Sequence, residues 1–295
     1  MATQVTQPSV RNAAIATRPA PPERGWLGRG VVYVLLTVLS ILWIIPILWA
    51  VDTAFKPESQ TTTVPVTWFP THFTLAGFLE VIQAGDLPRW YFNSILTTVV
   101  ITILVVVIAS MAAFAFSRIP FRGRNIVFWI ILAGLMVPAP ILIIPLFTEI
   151  QTFGLVNSYW AIILPQLASP IAVFIFKQFF DGLPHELEDA AFMDGASPWR
   201  VYWQIWLPLS RPAIAAVAVF TFVAAWNNFV WPFIAITSTQ MMTLPVGLAT
   251  VQTSYGVHYA QIMATAVLGG LPTLIAFLFF QRQIVQGFAN TGLKD

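Results

Sequence analysis

Four carboxylates crowd into nine residues: Glu186, Glu188, Asp189 and Asp194, within the run HELEDAAFMDGASPWR that begins at His185. Acids at this density could ligate a metal or pair with the basic groups of another protein. The metal reading lacks ligands. HELED begins like the helix of a zinc protease, but the second histidine of that motif is missing, and His72, His185 and His258 lie far apart in the chain. His185 therefore reads as a solvated loop residue. There is no cysteine, so thiolate sites and disulfides are excluded. No Gly-Lys dipeptide occurs, so the chain has no phosphate-cradling loop of the Walker type.

The same stretch predicts its own shape. Pro184 suits the first position of a helix. Leu187, Ala190 and Ala191 follow at i, i+3 and i+4, which makes a face of small residues. Asp194-Gly195 stops that helix, because glycine tolerates the left-handed turn of a helix end. Ser197 is a good cap and Pro198 a good first residue for a second helix. Trp199, Tyr202, Trp203 and Trp206 then share one face, and Pro208 and Pro212 end the helix. A helix–turn–helix results. Its acids Glu186, Glu188 and Asp189 are available to a partner's arginines, and its alanines let another surface approach. A solvated connector with interfacial aromatics fits the pattern equally well.

The elements that carry this segment are set by composition. Only 9% of the 295 residues are charged, and the mean hydropathy is +0.78. A soluble domain is about one-quarter charged, so the chain cannot cover a water-facing globule and is predicted to be an all-α integral membrane protein. A bilayer core of about 30 Å needs about 20 apolar residues per helix. Six stretches qualify or nearly so, at about 31–51, 93–116, 126–147, 156–176, 212–236 and 260–281, and none contains Asp, Glu, Lys, Arg or His. The first is too long for a signal-peptide core. With the N-terminus in the cytoplasm, twelve of the fourteen Lys and Arg residues fall inside, and only Lys56 and Arg89 outside. That bias fixes both termini inside and puts the acidic segment in the cytoplasm, between spans four and five. The organisation expected is a disordered tail over 1–30, a first span over 31–51, an outer loop over 52–92 with a short helix near 76–83, a core over 93–282 and a tail over 283–295.

Empty spans argue against coupling to protons or ions, which need ionisable groups at membrane depth. The inverted repeat of many secondary transporters is not visible. The net charge of +2 and the scattered basic residues give no nucleic-acid footprint. Prolines are frequent in the spans (46, 138, 140, 145, 165, 170, 232 and 272), and each removes a helical hydrogen bond.

LEDAAFMDGASPWRVYWQIWLP resembles the EAA motif of ABC-transporter permeases, the membrane subunits of binding-protein-dependent importers. That motif runs Glu-Ala-Ala, three residues to Gly, and about a dozen more to Leu-Pro. Here it reads Asp189-Ala190-Ala191, Asp194-Gly195-Ala196 and Leu207-Pro208. The family's glutamate is Asp189, one methylene shorter, with Glu188 beside it to share the role. Four further stretches, WFPTHFTLAGF, FNSILTTVVIT, WNNFVWP and FQRQIVQGFANTGLKD, resemble the carbohydrate-uptake branch, and the last resembles the end of the maltose-type second permease.

The resemblance implies that residues 184–208 dock in a cleft of a separate ATPase, with Glu186, Glu188, Asp189, Ala190, Ala191, Asp194, Gly195 and Ala196 at the contact. It implies a second homologous permease, two ATPase copies that use ATP and Mg, an outer sugar-binding protein and a prokaryotic plasma membrane. This chain would itself bind no cofactor and catalyse no covalent step. Trp226, Asn227, Asn228, Phe229 and Trp231 combine amides and rings, as a sugar's hydroxyls and C–H faces require, and are candidates for the substrate pathway. An aromatic belt with asparagine as interhelical glue fits them too. Trp226 and Asn227 differ by about 100° around a helix, so both cannot face one passage. A glycerol-phosphate-type importer, a self-sufficient channel or secondary transporter, and a membrane anchor recruiting some other protein are the competing readings.

Overall fold

The structure is a computed structural model that describes residues 26–65, 67–251 and 257–291. Every regular element among the described residues is helical, and none is a strand. Helices satisfy their own backbone groups, which apolar surroundings demand. Helix α1 (Trp26–Ala54) carries the first apolar run, with Pro46 inside it. Up to Trp49 it belongs to a unit of its own. Residues 1–25 of the expected tail lie outside the described residues, and 26–30 are already helical.

The second unit, Ala50–Asp295, opens on the expected outer loop. This loop contains α2 (Glu58–Thr61) and α3 (Ala76–Ala84), the latter where a short helix was anticipated. Helix α4 (Leu87–Arg118) starts at Leu87 and not at 93, with proline in its first turn where no N–H is needed. Thr97, Ile101, Val105, Ala109 and Ala113 recur every four residues and are all buried, giving α4 one packed stripe. Its hydroxyls turn back on its own carbonyls, Thr97 onto Asn93 at 2.8 Å and Thr102 onto Thr98 at 2.7 Å, so they cost little in an apolar setting.

Three of the predicted spans are not continuous. Helix α5 (Arg124–Ala133) runs through a 3-10 turn to Met136 and meets α6 (Ala139–Thr152) at 104°. Helix α7 (Tyr159–Ile163), extended by the turn Leu164–Gln166, meets α8 (Pro170–Asp181) at 47°. The acidic segment follows as α9 (Glu186–Met193), α10 (Pro198–Val201), a π-helical turn Tyr202–Trp206 and α11 (Leu207–Leu209), and α12 (Arg211–Trp226) then leaves at 76°. The fifth predicted span, 212–236, breaks near its C-terminal end before α13 (Val230–Ala235). Pro138 and Pro170 explain the first two breaks, since proline lacks the N–H and keeps the preceding residue extended, and Pro140 sits in the first turn of α6. At the break after Trp226, the Asn227 side chain bonds the Val223 carbonyl at 2.8 Å and competes with its own backbone N–H at 3.1 Å.

Helix α14 (Leu244–Val251) precedes α15 (Tyr259–Thr291). The carboxylate of Glu58 accepts the Tyr259 and Ala260 N–H groups at 2.7 and 2.9 Å. It satisfies two free donors and sits at the positive end of α15. The helix continues past 282, so the segment expected as a tail is helical as far as 291, and 292–295 lie outside the described residues. Among the described residues three helices are long and apolar enough to cross a membrane, Gly30–Ala54, Leu87–Arg118 and Tyr259–Phe279, and there are up to six such spans if each bent pair is one.

Candidate functional site

The acidic segment forms a knob on an aromatic pedestal. Helix α9 ends where Gly195 takes φ +78°, the left-handed value that L side chains resist. Ser197 caps the next helix, its hydroxyl accepting the Arg200 N–H at 3.3 Å. Glu186, Asp189, Ala190, Asp194 and Gly195 are exposed, while Ala191 and Ala196 are half-buried and pack on the core. Phe192, Met193 and Trp199 are exposed around them. The knob therefore presents carboxylates rimmed by apolar side chains, a surface suited to a protein partner carrying cations.

The pedestal is built from α4 and α8. Tyr202 and Trp206 are buried and pack on Phe114 at ring distances of 5.3 and 6.3 Å, and Trp206 meets Phe180 edge-on at 5.7 Å. The hydroxyls of Tyr202 and Ser110 pair at 2.7 Å. Trp199 and Trp203 point away and stay exposed. The single aromatic face anticipated for this helix thus splits in two. The π-helical turn widens the spacing, so Tyr202 and Trp206 turn inward while Trp199 and Trp203 stay outside, still packed on the Tyr202 ring at 5.8 and 5.2 Å.

Arg118, the last residue of α4, sits at the centre. It donates to the carbonyls of Phe180 and, at 2.9 Å, Leu183. Its guanidinium lies 2.6 Å from the His185 imidazole, 3.9 Å from the Glu188 carboxylate and 4.0 Å from the centre of the Trp206 ring. Nearby, Asp181 accepts from Ser117 and from Lys177, the latter at 2.6 Å. His185 is exposed as expected, yet it is engaged by Arg118 and is not merely solvated.

Glu188 departs from the sequence reading. It was expected to face a partner beside Asp189, but it is buried and turned toward Arg118. One step along a helix is about 100°, so Asp189 faces out when Glu188 faces in. Burial pushes the Glu188 carboxyl above its ordinary range, Arg118 and His185 pull it back, and Asp189 adds to the rise. A carboxyl raised on folding favours the fold when protonated, and that contribution is lost as pH climbs through its folded pKa. Ionised Glu188 therefore works against the fold at neutral pH. Glu188→Gln should leave thermal stability unchanged or slightly higher at neutral pH, with the difference from the parent closing as pH falls. Thermal unfolding at several pH values checks this.

The five candidate pathway residues scatter. Trp226 is buried, donates to the Gly269 carbonyl at 3.2 Å and stacks on Phe222. Trp231 is buried and donates to the Ala161 carbonyl at 2.8 Å. Both tryptophans thus serve packing between helices. Phe229 stacks on Phe233 and is exposed. Asn227 is exposed and lines a cavity of about 530 Å³ between α12 and α15. Asn228 turns the other way and donates to Gln166 at 3.0 Å. That bond joins the break in α12–α13 to the break between α7 and α8, beside a second cavity of about 300 Å³. Buried Trp226 and exposed Asn227 therefore diverge, as their angular separation required, and the two asparagines diverge as well.

Comparison with known proteins decides the family. Residues 105–288 match the model of the binding-protein-dependent transport system inner membrane component. The chain belongs to that family. It is 38% identical to the arabinooligosaccharides transport system permease protein AraQ of Halalkalibacterium halodurans, over 87% of this chain and 93% of that protein. It is 33% identical to the diacetylchitobiose uptake system permease protein NgcG of Streptomyces coelicolor, over 85% of this chain and 84% of that one. Its fold matches a chain of a bacterial ABC transporter for import of the acidic polysaccharide alginate, with TM-score 0.77 at 21% identity, covering 90% of this chain and 99% of the other. This chain is thus a multi-pass membrane permease of the ABC-importer type, a transport subunit and not an enzyme, as its sequence indicated.

Within the permease, the residue that sequence reading missed is Arg118. It was counted only as one of the cytoplasmic cations. Nothing local separates it from Arg122 and Arg124, because its partners are 62 to 88 positions away (Phe180 to Trp206) and converge only when α4, α8 and the knob are packed.

Proposed function

We propose that this permease forms half of the pathway of an ATP-driven carbohydrate importer in a prokaryotic plasma membrane. The six apolar stretches, three of them bent, are its six spans, with both termini cytoplasmic. It pairs with a second homologous permease, receives sugar from an outer binding protein, and is driven by two copies of an ATPase that use ATP and Mg. The knob at Glu186–Ala196 docks on that ATPase, with Asp189 as its principal charge. The observation that carries this reading is exposed Asp189 beside a left-handed Gly195 on a buried pedestal: the knob holds an outward carboxylate that forms no salt bridge among the described residues. The sugar substrates named for its relatives support a carbohydrate cargo. Asn227 and Asn228 supply amides to the passage, where a sugar's hydroxyls need donors and acceptors.

The test is reconstitution. Proteoliposomes holding the two permeases and the ATPase, supplied with the binding protein, should accumulate a labelled oligosaccharide only with ATP; arabino-oligosaccharides and diacetylchitobiose are the first probes. This chain alone should move none. Sugar flux through this chain alone, without ATP, would return the self-sufficient transporter to first place.

A further inference from the structure

We propose that motion of the knob is delivered sideways into α4 and α8 through a clamp centred on Arg118, and not along the chain through Ser210 into α12. The proposal rests on the docking reading above. Three routes leave the knob. One runs back along the chain through residues 182–185 into α8. The forward covalent one passes the π-helical turn and then Ser210, where the chain bends by 76° before α12. A joint bent that far turns a push along one arm into rotation about the bend. The lateral route has no such joint. Ser110 and Arg118 stand two turns apart on α4, and each holds a residue of the knob's second helix: Tyr202 through a 2.7 Å hydrogen bond, Trp206 through the face of its ring at 4.0 Å.

Arg118 also reaches both other elements. Its Nη2 donates to the end of α8 at Phe180 and Leu183, and its Nη1 faces His185 and Glu188 at the start of α9. Its side chain is 1% exposed. A cation taken so far out of water is poor value for stability alone, since well-packed apolar residues hold a fold as well. A planar fork of five donors does one thing that an apolar residue cannot: it fixes the relative angle of several elements at once. Arg118 is therefore a positioning residue, acting through α8 and the knob and touching no cargo. Distances measured in variants of Arg118 and Ser210 separate the routes.

The chain has no cysteine, so spin labels can be introduced cleanly. In the assembled transporter, one pair would report knob movement from exposed Met193 and a second would report α8 movement from exposed Gln178, each against exposed Glu80 on α3. In the parent, a non-hydrolysable ATP analogue should shift both distances. In Arg118→Gln the Met193 shift should persist and the Gln178 shift fall below half. Arg118→Lys and Tyr202→Phe should each give a partial loss, and they decide the matter if Arg118→Gln fails to fold. Ser210→Gly, which softens the covalent joint, should leave the Gln178 shift unchanged. A full Gln178 shift in the Arg118 variants, or its loss in Ser210→Gly, overturns the lateral route while leaving docking intact. A parent whose Met193 label does not move takes down the docking reading as well.

Discussion

Asp189→Ala and Gly195→Val should leave the permease in the membrane and cut ATP-driven uptake at least tenfold. Both residues are exposed and touch little of their own chain. Substitution at such a site changes stability by only about ±0.5 kcal/mol unless a special backbone angle is involved. At Asp189 the loss therefore falls on the partner contact. A charge at the centre of an interface can carry about 2 kcal/mol or more, and each 1.4 kcal/mol or so is a factor of ten. Asp189→Glu should keep most of the activity, because charge is preserved. At Gly195 the requirement is conformational: φ is +78°, where a β-branched residue is strained by about 1–3 kcal/mol. Asparagine visits that region readily. Gly195→Asn should therefore transport nearly as the parent does while Gly195→Val does not. Uptake and ATP hydrolysis measured side by side check this, since an uncoupled complex hydrolyses ATP without moving sugar. Equal uptake by Asp189→Ala, Gly195→Val and the parent would refute the docking role.

Trp206→Ala should be the most damaging single change to stability. Its side chain is fully buried, packs on Phe114 and Phe180, and forms the ring beneath the Arg118 guanidinium. Truncating a buried tryptophan costs about 3–5 kcal/mol through lost transfer energy and the cavity left behind. Here the Arg118 cation also loses the face it rests on. Trp203→Ala, at a half-exposed position four residues from Trp199, is the control, and a change below about 1 kcal/mol is expected there. Thermal unfolding of the purified transporter separates the two. Limited tryptic cleavage after Arg200, in α10, should accelerate only in Trp206→Ala.

The parts of this fold legible in the sequence are those set by near neighbours. Gly195 and Ser197 marked a helix stop and the next start, and the structure gives them a left-handed φ and a capping hydroxyl. The short outer helix lay close to its expected limits. Proline shows where local reading ends. All eight prolines in the spans were visible, but Pro46, Pro145 and Pro272 lie inside unbroken helices, whereas Pro138, Pro140 and Pro170 stand at breaks. One lost hydrogen bond is tolerated when neighbouring groups satisfy the freed carbonyl, and that is a property of packing. The inward turn of Glu188, the split aromatic face and the convergence on Arg118 are all of this second kind. The pathway residues fall between the two. The divergence of Trp226 and Asn227 followed from helix geometry, while the commitment of Trp226 to Gly269 and of Asn228 to Gln166 required the tertiary structure.

The most direct measurement is labelling of a single cysteine at Met193, the most exposed large apolar side chain of the knob, with a membrane-impermeant maleimide. In sealed right-side-out vesicles carrying the full transporter, Met193→Cys should resist the reagent. In inverted vesicles it should react, and the ATPase should slow that reaction when bound and release it when stripped away. Labelling from the outside, or labelling from the inside that is indifferent to the ATPase, would contradict a cytoplasmic knob gripped by a nucleotide-driven partner.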